Sequence, residues 1–365
     1  MVTNLTQEAK AKWAEAIATK DPEVKLRLLK EFYSLMPKHK ATEKLEMNIK
    51  RQIAALEEEI EERRSKGKRK GSTRQEWTVK KEGMLQVAVV GSIEQSIKLF
   101  ESLTGKTVSI YEALVRPKIG IFNALNINIQ LVLTPIDSII GEDRLDRFVS
   151  IARNADAIIV MVESLDYLSS VCRWFEARNV NILSKARVEI EYTPHGGIRI
   201  VGRSYKVRES DIFEFVKGYG IKNAVIKVYS NATLDDVEDA IFGRVSKRAV
   251  FVTPNNNNNH NYYTSINYNG INIDLIAFND DKERFMVDLL RSMELIRVFT
   301  KKVGADVVDE PLLLQSNSKV IELAEMIHKD LAKNFKFARV WRNGTQIKVG
   351  KDFTLNDLDV VELHT

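Results

Sequence analysis

Short, unbroken apolar runs limit the fold of this chain more than any other feature. They are VAVV at 87–90, AIIVMV at 157–162 and AVFV at 249–252. A strand that is apolar at every position is covered on both faces, and parallel sheets with helices on both sides provide that cover. Helical patterns alternate with these runs: IEQSIKLFESLTG follows the first, GEDRLDRFVSIARNA precedes the second, and DKERFMVDLLRSMELIRVF comes after the third. KIGIFNAL and INIQLVLTP add two more strand-like stretches. The alternation predicts a mostly parallel sheet wrapped by helices, in an α/β chain of several domains.

Its 365 residues suffice for two or three domains, and 44% hydrophobic with 29% charged residues allows a sizeable core. A net charge of +5 is compatible with nucleic acid without requiring it. The single cysteine, Cys172, excludes an intramolecular disulfide and points to a reducing cytoplasm. The opening MVTNLTQEAKAKWAEA is polar and reads as helix, not as a signal peptide. No run approaches the roughly 18 apolar residues of a membrane span, so no membrane partner is expected.

The chain divides by pattern into four parts. Residues 1–75 read as a helical domain. Asp21 and Pro22 open its second helix, whose apolar face is Leu26, Leu29, Phe32, Tyr33 and Met36, and Pro37 ends it. Leu45, Ile49, Ile53, Leu56 and Ile60 make one stripe on a third helix. That helix runs into EEEIEE and then RRSKGKRK, which has six basic residues in eight: Arg63, Arg64, Lys66, Lys68, Arg69 and Lys70. Clustered cations bind phosphate backbones by releasing counterions; a solvated linker reads the same way. Residues 84–164 and 233–296 carry the parallel-sheet pattern, and 165–232 read as an α+β lobe inserted into it. Residues 297–365 read as a small β-grasp unit.

VAVVGSIEQSIKLFESLTG has the strand–turn–helix layout of a phosphate-binding loop. That loop needs G-x-x-x-x-G-K-[ST]. Gly91 supplies the first glycine, but Ser96, Ile97 and Lys98 stand at the other three positions. The five histidines are scattered without metal-ligand spacing, and His328 reads as a helix-face residue. Cys172, beside Val171 and Trp174, reads as core. Asp137, Glu142 and Asp143 read as a solvated loop and helix start.

Several segments taken together resemble the developmentally regulated GTP-binding proteins, relatives of the Obg translation GTPases. They are HKATEKLEMNIKRQIAALEEEIEE, VAVVG…LTG, GEDR…IARNADAIIVMV, HGGIRI, YGIKNAVIKVYSNATLDDVEDAIFG, ELIRVFTKK, IHKDLAKNFKFARVW and VGKDFTLNDLDVVEL. The resemblance implies a helical N-terminal domain, a P-loop GTPase-like domain with an inserted lobe, and a C-terminal TGS domain. Several signature positions of such a GTPase depart from the pattern. Leu114 or Val115 stands for the magnesium-binding threonine. Leu133 and Ile136 replace the ends of D-x-P-G, PNNN at 254–257 replaces N-K-x-D, and Ala277–Phe278 replaces the S-A turn.

The expectation is therefore a pseudo-GTPase without cofactor and without enzymatic activity. It would be a ribosome-associated translation or dormancy factor that contacts rRNA and ribosomal protein. The basic run and Trp341, Arg342 and Lys348 are its candidate RNA contacts, with Trp341 equally readable as β-grasp core. The alternatives are a GTPase with altered loops and a regulator that pairs with a family GTPase or with that GTPase's partner protein.

Overall fold

The computed structural model describes residues 5–19, 21–37, 42–65, 77, 79–83, 85–183, 187–229, 231–254 and 263–365. The chain separates into two compact units. One holds residues 1–76 and 172–247, and the other holds 77–171 and 248–365.

The chain begins with three helices, α1 (Gln7–Ala18), α2 (Pro22–Leu35) and α3 (Glu43–Ser65). Asp21 caps α2 by accepting from the Glu23 and Val24 amides, as the Asp-Pro pair predicts. Leu28, Leu29, Phe32 and Met36 are the buried residues of its face, so Leu28 takes the place expected of Leu26. Leu45, Ile49 and Ile60 of the α3 stripe are buried.

The next elements are β1 (Leu85–Val90), α4 (Ile93–Thr104), α5 (Ile110–Val115), β2 (Lys118–Ala124), β3 (Ile127–Leu133), α6 (Glu142–Asn154) and β4 (Ala157–Met161). The division between the units falls inside α7 (Leu165–Glu176), which follows β4. After it come β5 (Val180–Asn181), β6 (Val188–Tyr192), β7 (Ile198–Gly202), α8 (Glu209–Gly218), β8 (Ala224–Val228), α9 (Leu234–Ile241) and β9 (Val245–Ser246). Then β10 (Ala249–Pro254), β11 (Tyr263–Tyr268), β12 (Ile271–Phe278) and α10 (Lys282–Ser292) return the chain to the larger sheet.

That sheet has seven strands in the order β11-β12-β10-β4-β1-β3-β2. The five central strands are parallel, and antiparallel hairpins add β11 and β2 at the two edges. Every residue of β1 and β4 is buried, and each is apolar except Gln86, whose amide donates to Gln130 at 2.7 Å.

In the other unit the N-terminal helices and the 172–247 stretch share one core. Trp13, Phe32, Tyr219 and Phe242 form its aromatic centre, with Trp13 and Phe242 rings 5.0 Å apart, edge to face. The buried Tyr219 hydroxyl donates to Glu238 at 2.6 Å. The Trp13 indole N–H has no hydrogen-bond partner among the described residues, because aromatic rings surround it.

The last 70 residues fold as a five-stranded sheet in the order β14-β13-β17-β15-β16. Its strands are β13 (Leu295–Lys301), β14 (Leu312–Gln315), β15 (Phe337–Arg342), β16 (Thr345–Val349) and β17 (Asp359–His364). Helices α11 (Val320–Ile327) and α12 (Lys329–Lys333) lie between β14 and β15. His328 is not on a helix face. It has an extended φ of −165° and breaks the expected single helix in two, its ring nitrogen accepting from the Asp330 amide at 3.1 Å. Among the described residues no helix is long and apolar enough to cross a membrane.

Candidate functional site

The β1–α4 turn is where a nucleotide-binding fold would hold phosphate. Gly91 is required there by packing and not by backbone angle, since a Cβ on it would lie 2.8 Å from Met161 Cβ. Its carbonyl accepts from the Ile136 amide at 2.9 Å, and the Val89 carbonyl accepts from the Thr134 amide at 2.9 Å. These bonds tie the segment after β3 against the turn.

The first turn of α4 is satisfied from within the chain. The Ser92 hydroxyl accepts from Gln95 N–H, and the Asp137 carboxylate accepts from Ile93 N–H at 3.4 Å. A carboxylate at a helix N-terminus is favoured by the partial positive charge there. The same carboxylate accepts from the Ile139 amide at 3.3 Å. Asp137 is thus neither merely solvated nor part of a metal cluster. Among the described residues no group of His, Cys, Asp or Glu could hold a metal ion. Glu142 and Asp143 open α6, as the sequence suggests.

The remaining phosphate-loop positions are occupied by helix structure. The Ser96 hydroxyl is buried and donates back to the Ser92 carbonyl at 2.6 Å. Ile97 is buried, and Lys98 is exposed and paired to Glu94 at 2.7 Å. Leu133, Thr134 and Ile136 are all fully buried. The Ile136 carbonyl accepts from the Tyr167 hydroxyl at 2.8 Å. Burial raises the Tyr167 phenol above its ordinary range, with help from the nearby Glu163 and Asp137 charges.

Leu114 and Val115 end α5, whose start is a capping box between Ser109 and Glu112. Glu112 also meets Lys118 at 2.5 Å, and these contacts hold its carboxyl at about 2. A carboxyl depressed in the folded state contributes stability above its unfolded value of about 4.3 and loses it as pH falls toward about 2. An NMR titration of the Glu112 side chain is therefore expected to show a midpoint near 2 in the wild type, and in Lys118→Met a midpoint closer to the usual carboxylate range. A wild-type midpoint above 4 would refute the capping geometry.

In the second region, the C-terminal sheet, the three sequence-chosen residues separate. Arg342 is not free for a ligand: it forms a two-pronged pair with buried Asp359 at 2.7 and 2.8 Å and also donates to the Thr354 carbonyl. Trp341 and Lys348 lie on the sheet face opposite the one that Val298, Ala338, Val340 and Val361 bury. The Lys301 ammonium sits 4.7 Å from the Trp341 ring centre, and the Lys348 ammonium 4.0 Å from that of Phe337. The His364 ring stacks on Phe337 at 4.3 Å.

Between these aromatic residues, buried Glu362 contacts His364 at 2.7 Å, Arg339 at 3.2 Å and Lys301 at 3.8 Å. Burial pushes its carboxyl up, but His364 together with the Lys301 and Arg339 charges holds it below the usual carboxylate value. Sequence reading missed Lys301, Phe337, Arg339, Glu362 and His364. The signal was the two-residue alternation within LIRVFTK, FARVWR and VVELH, which puts these side chains on one face.

Arg63 and Arg64 fall in the last turn of α3, while Lys66, Lys68, Arg69 and Lys70 lie outside the described residues, as do 255–257 of PNNN. Cys172 is buried and its thiol is pushed up to about 12 by burial and by Glu176, in keeping with a core residue.

Residues 296–365 match the family model described as TGS domain. The chain is 26% identical to an uncharacterized GTP-binding protein of Methanocaldococcus jannaschii, across 93% of this chain and 92% of that one. It is 25% identical to developmentally-regulated G-protein 3 of Arabidopsis thaliana, over 93% and 97% of the two chains. It is 26% identical to human developmentally-regulated GTP-binding protein 2, over 89% and 94%. Among solved structures, the Schizosaccharomyces pombe YchF GTPase superposes with a TM-score of 0.40 at 14% identity, covering 78% of this chain and 99% of that one. The resemblance to developmentally regulated GTP-binding proteins is thereby shown over nearly the whole chain. The same finding overturns the expectation of a non-enzymatic pseudo-GTPase, because the relatives matched over nearly their full length are named GTP-binding proteins or G-proteins.

Proposed function

We propose that this chain is a translation factor of the GTP-binding, TGS-domain type that acts while bound to ribosomal RNA. The observation that carries the reading is the likeness to GTP-binding relatives over 93% of the chain, with a TGS domain at its end. Two features support RNA contact. The basic run holds Arg63, Arg64, Lys66, Lys68, Arg69 and Lys70, and the outer face of the TGS sheet holds Trp341 and Lys348. Arg342 is left out of the contact set, since Asp359 already takes the Nε and Nη2 donors of its guanidinium.

Guanine nucleotide in this chain has to be held by groups other than the usual set. Ile97 brings no charge to a phosphate, Lys98 is engaged with Glu94, and Leu133 brings no carboxylate to a magnesium ion.

The test is sedimentation of lysate from growing and from starved cells on sucrose gradients, at low and at high salt. Co-migration with a ribosomal particle, weakened by salt, is the expected result, because phosphate contacts release counterions. A chain that stays at the top of every gradient would refute the proposal.

A further inference from the structure

The two Asn-Gly pairs of the chain sit in the same kind of turn and differ in one hydrogen bond. One pair, Asn269 and Gly270, joins β11 to β12, and the other, Asn343 and Gly344, joins β15 to β16. Register pairs Tyr268 with Ile271 and Arg342 with Thr345, so each loop has two residues. Both residues of each loop have positive φ, 50° and 80° in the first and 51° and 78° in the second. That turn matches the twist of a hairpin, and Asn-Gly is its preferred sequence. All four residues are exposed.

The same pair is chemically labile. Asparagine is a thermolabile residue, because the next main-chain nitrogen attacks its side-chain carbonyl carbon. A glycine in that next position has no Cβ to obstruct the approach and leaves the main chain free to bend into it. The attacking N–H has to be unengaged. At Gly270 it donates to Asn267 Oδ1 at 3.2 Å, and Asn267 is itself fixed by donating to Asn272 at 3.0 Å. At Asn317 the following amide, that of Ser318, donates to the Gln315 carbonyl at 3.1 Å. Neither the Gly344 amide nor the Asn343 side chain has a hydrogen-bond partner among the described residues.

We infer that Asn343 is a site of spontaneous covalent modification, converting to aspartate and isoaspartate ahead of the other asparagines among the described residues. The Gly344 nitrogen loses its proton to solvent base and bonds to Asn343 Cγ. The Cγ–Nδ2 bond breaks and ammonia leaves, which closes a five-membered succinimide. Water then opens the ring: cleavage between Cγ and the Gly344 nitrogen gives aspartate, and cleavage between the Asn343 main-chain carbonyl carbon and that nitrogen gives isoaspartate. Either product adds a negative charge to the turn. Isoaspartate also routes the main chain through the side chain and lengthens by one carbon a loop whose length fixes strand register. β16 is the edge strand of its sheet, joined to β15 alone, with Thr345 to Lys348 all exposed. Conversion therefore loosens β16 while the four strands behind it stay paired.

The test ages the full chain in mildly alkaline buffer, which favours the deprotonated amide, and maps its asparagine peptides by mass spectrometry. Isoaspartate is counted by methyl transfer from labelled S-adenosylmethionine with an isoaspartyl methyltransferase. Asn343 is expected to convert about 5-fold faster than Asn269, the effect of first having to open a hydrogen bond of ordinary strength at Gly270. Asn267→Ala frees the Gly270 amide and is expected to raise Asn269 to about the Asn343 rate. Asn343→Gln, whose ring would need six members, is expected to abolish conversion at this position. Hydrogen exchange at the Ile347 amide is expected to quicken in the aged wild type and not in aged Asn343→Gln. In denaturant the two Asn-Gly pairs are expected to convert equally, and this comparison in the wild type holds whether or not the variants fold.

An Asn269 that converts as fast as Asn343 in the folded chain would overturn the inference. So would a difference that persists in denaturant, which would trace it to neighbouring sequence and not to the fold. A folded chain that ages without conversion at Asn343 would overturn it as well.

Discussion

Truncation of Phe32 to alanine is expected to lower the melting midpoint of the transition that carries residues 1–76 and 172–247 by about 6–20 °C. Phe32 is fully buried, with ring centres 5.2 Å from Trp13 and 6.2 Å from Phe242. Removing a buried phenylalanine costs about 3–5 kcal/mol, from lost transfer free energy and from the cavity left behind. In a unit of this size each kcal/mol moves the midpoint by about 2–4 °C. The neighbours cannot close the gap easily, because Tyr219 is anchored by its bond to Glu238 and Trp13 is held between two rings. Differential scanning calorimetry of Phe32→Ala beside Phe32→Leu tests this, the leucine keeping most of the volume and costing less. A shift of only a degree or two for alanine would mean that the helices and the 172–247 stretch do not share a core.

Gly202→Ala is the second large effect, expected at about 2–5 kcal/mol. Gly202 ends β7 with φ +87°, and a Cβ there would lie 2.2 Å from the Val228 carbonyl oxygen of the paired strand β8. The positive φ costs an L-residue about 1–2 kcal/mol, and the overpacking about 1–3 more. The obstructing atom is backbone, so no rotamer change relieves it. Gly196→Ala provides the comparison: its φ is +107°, but nothing lies within 4 Å of the added atom. Denaturant titration of the two variants is expected to show Gly202→Ala as clearly the worse. Equal losses would mean that only backbone angle matters and that β7 and β8 are not this close.

Asp137 shows where a reading of the chain stops. In sequence it is one acid after LTPI, indistinguishable from a loop residue. In the fold the Ile136 amide bonds to the Gly91 carbonyl, which brings the Asp137 carboxylate to the first turn of α4. A contact across 44 residues has no local signature. Arg342 fails for the same reason. Its type and position suit a phosphate, but the chain returns at Asp359 and takes the guanidinium for itself. His328 is a milder case, in which a helical pattern runs on in the sequence while the backbone breaks to let the ring cap α12.

The parallel sheet, the helical start and the β-grasp end are legible in the amino-acid order, because each is written in local periodicity. Unbroken apolar runs can only be covered on both faces, and alternating runs can bury only one. That the N-terminal helices and residues 172–247 share an aromatic core, and that Asp359 takes the Arg342 guanidinium, is settled by the fold alone. Those outcomes depend on long-range neighbours, and the partner of a charge is set by what the fold places within a few ångströms of it.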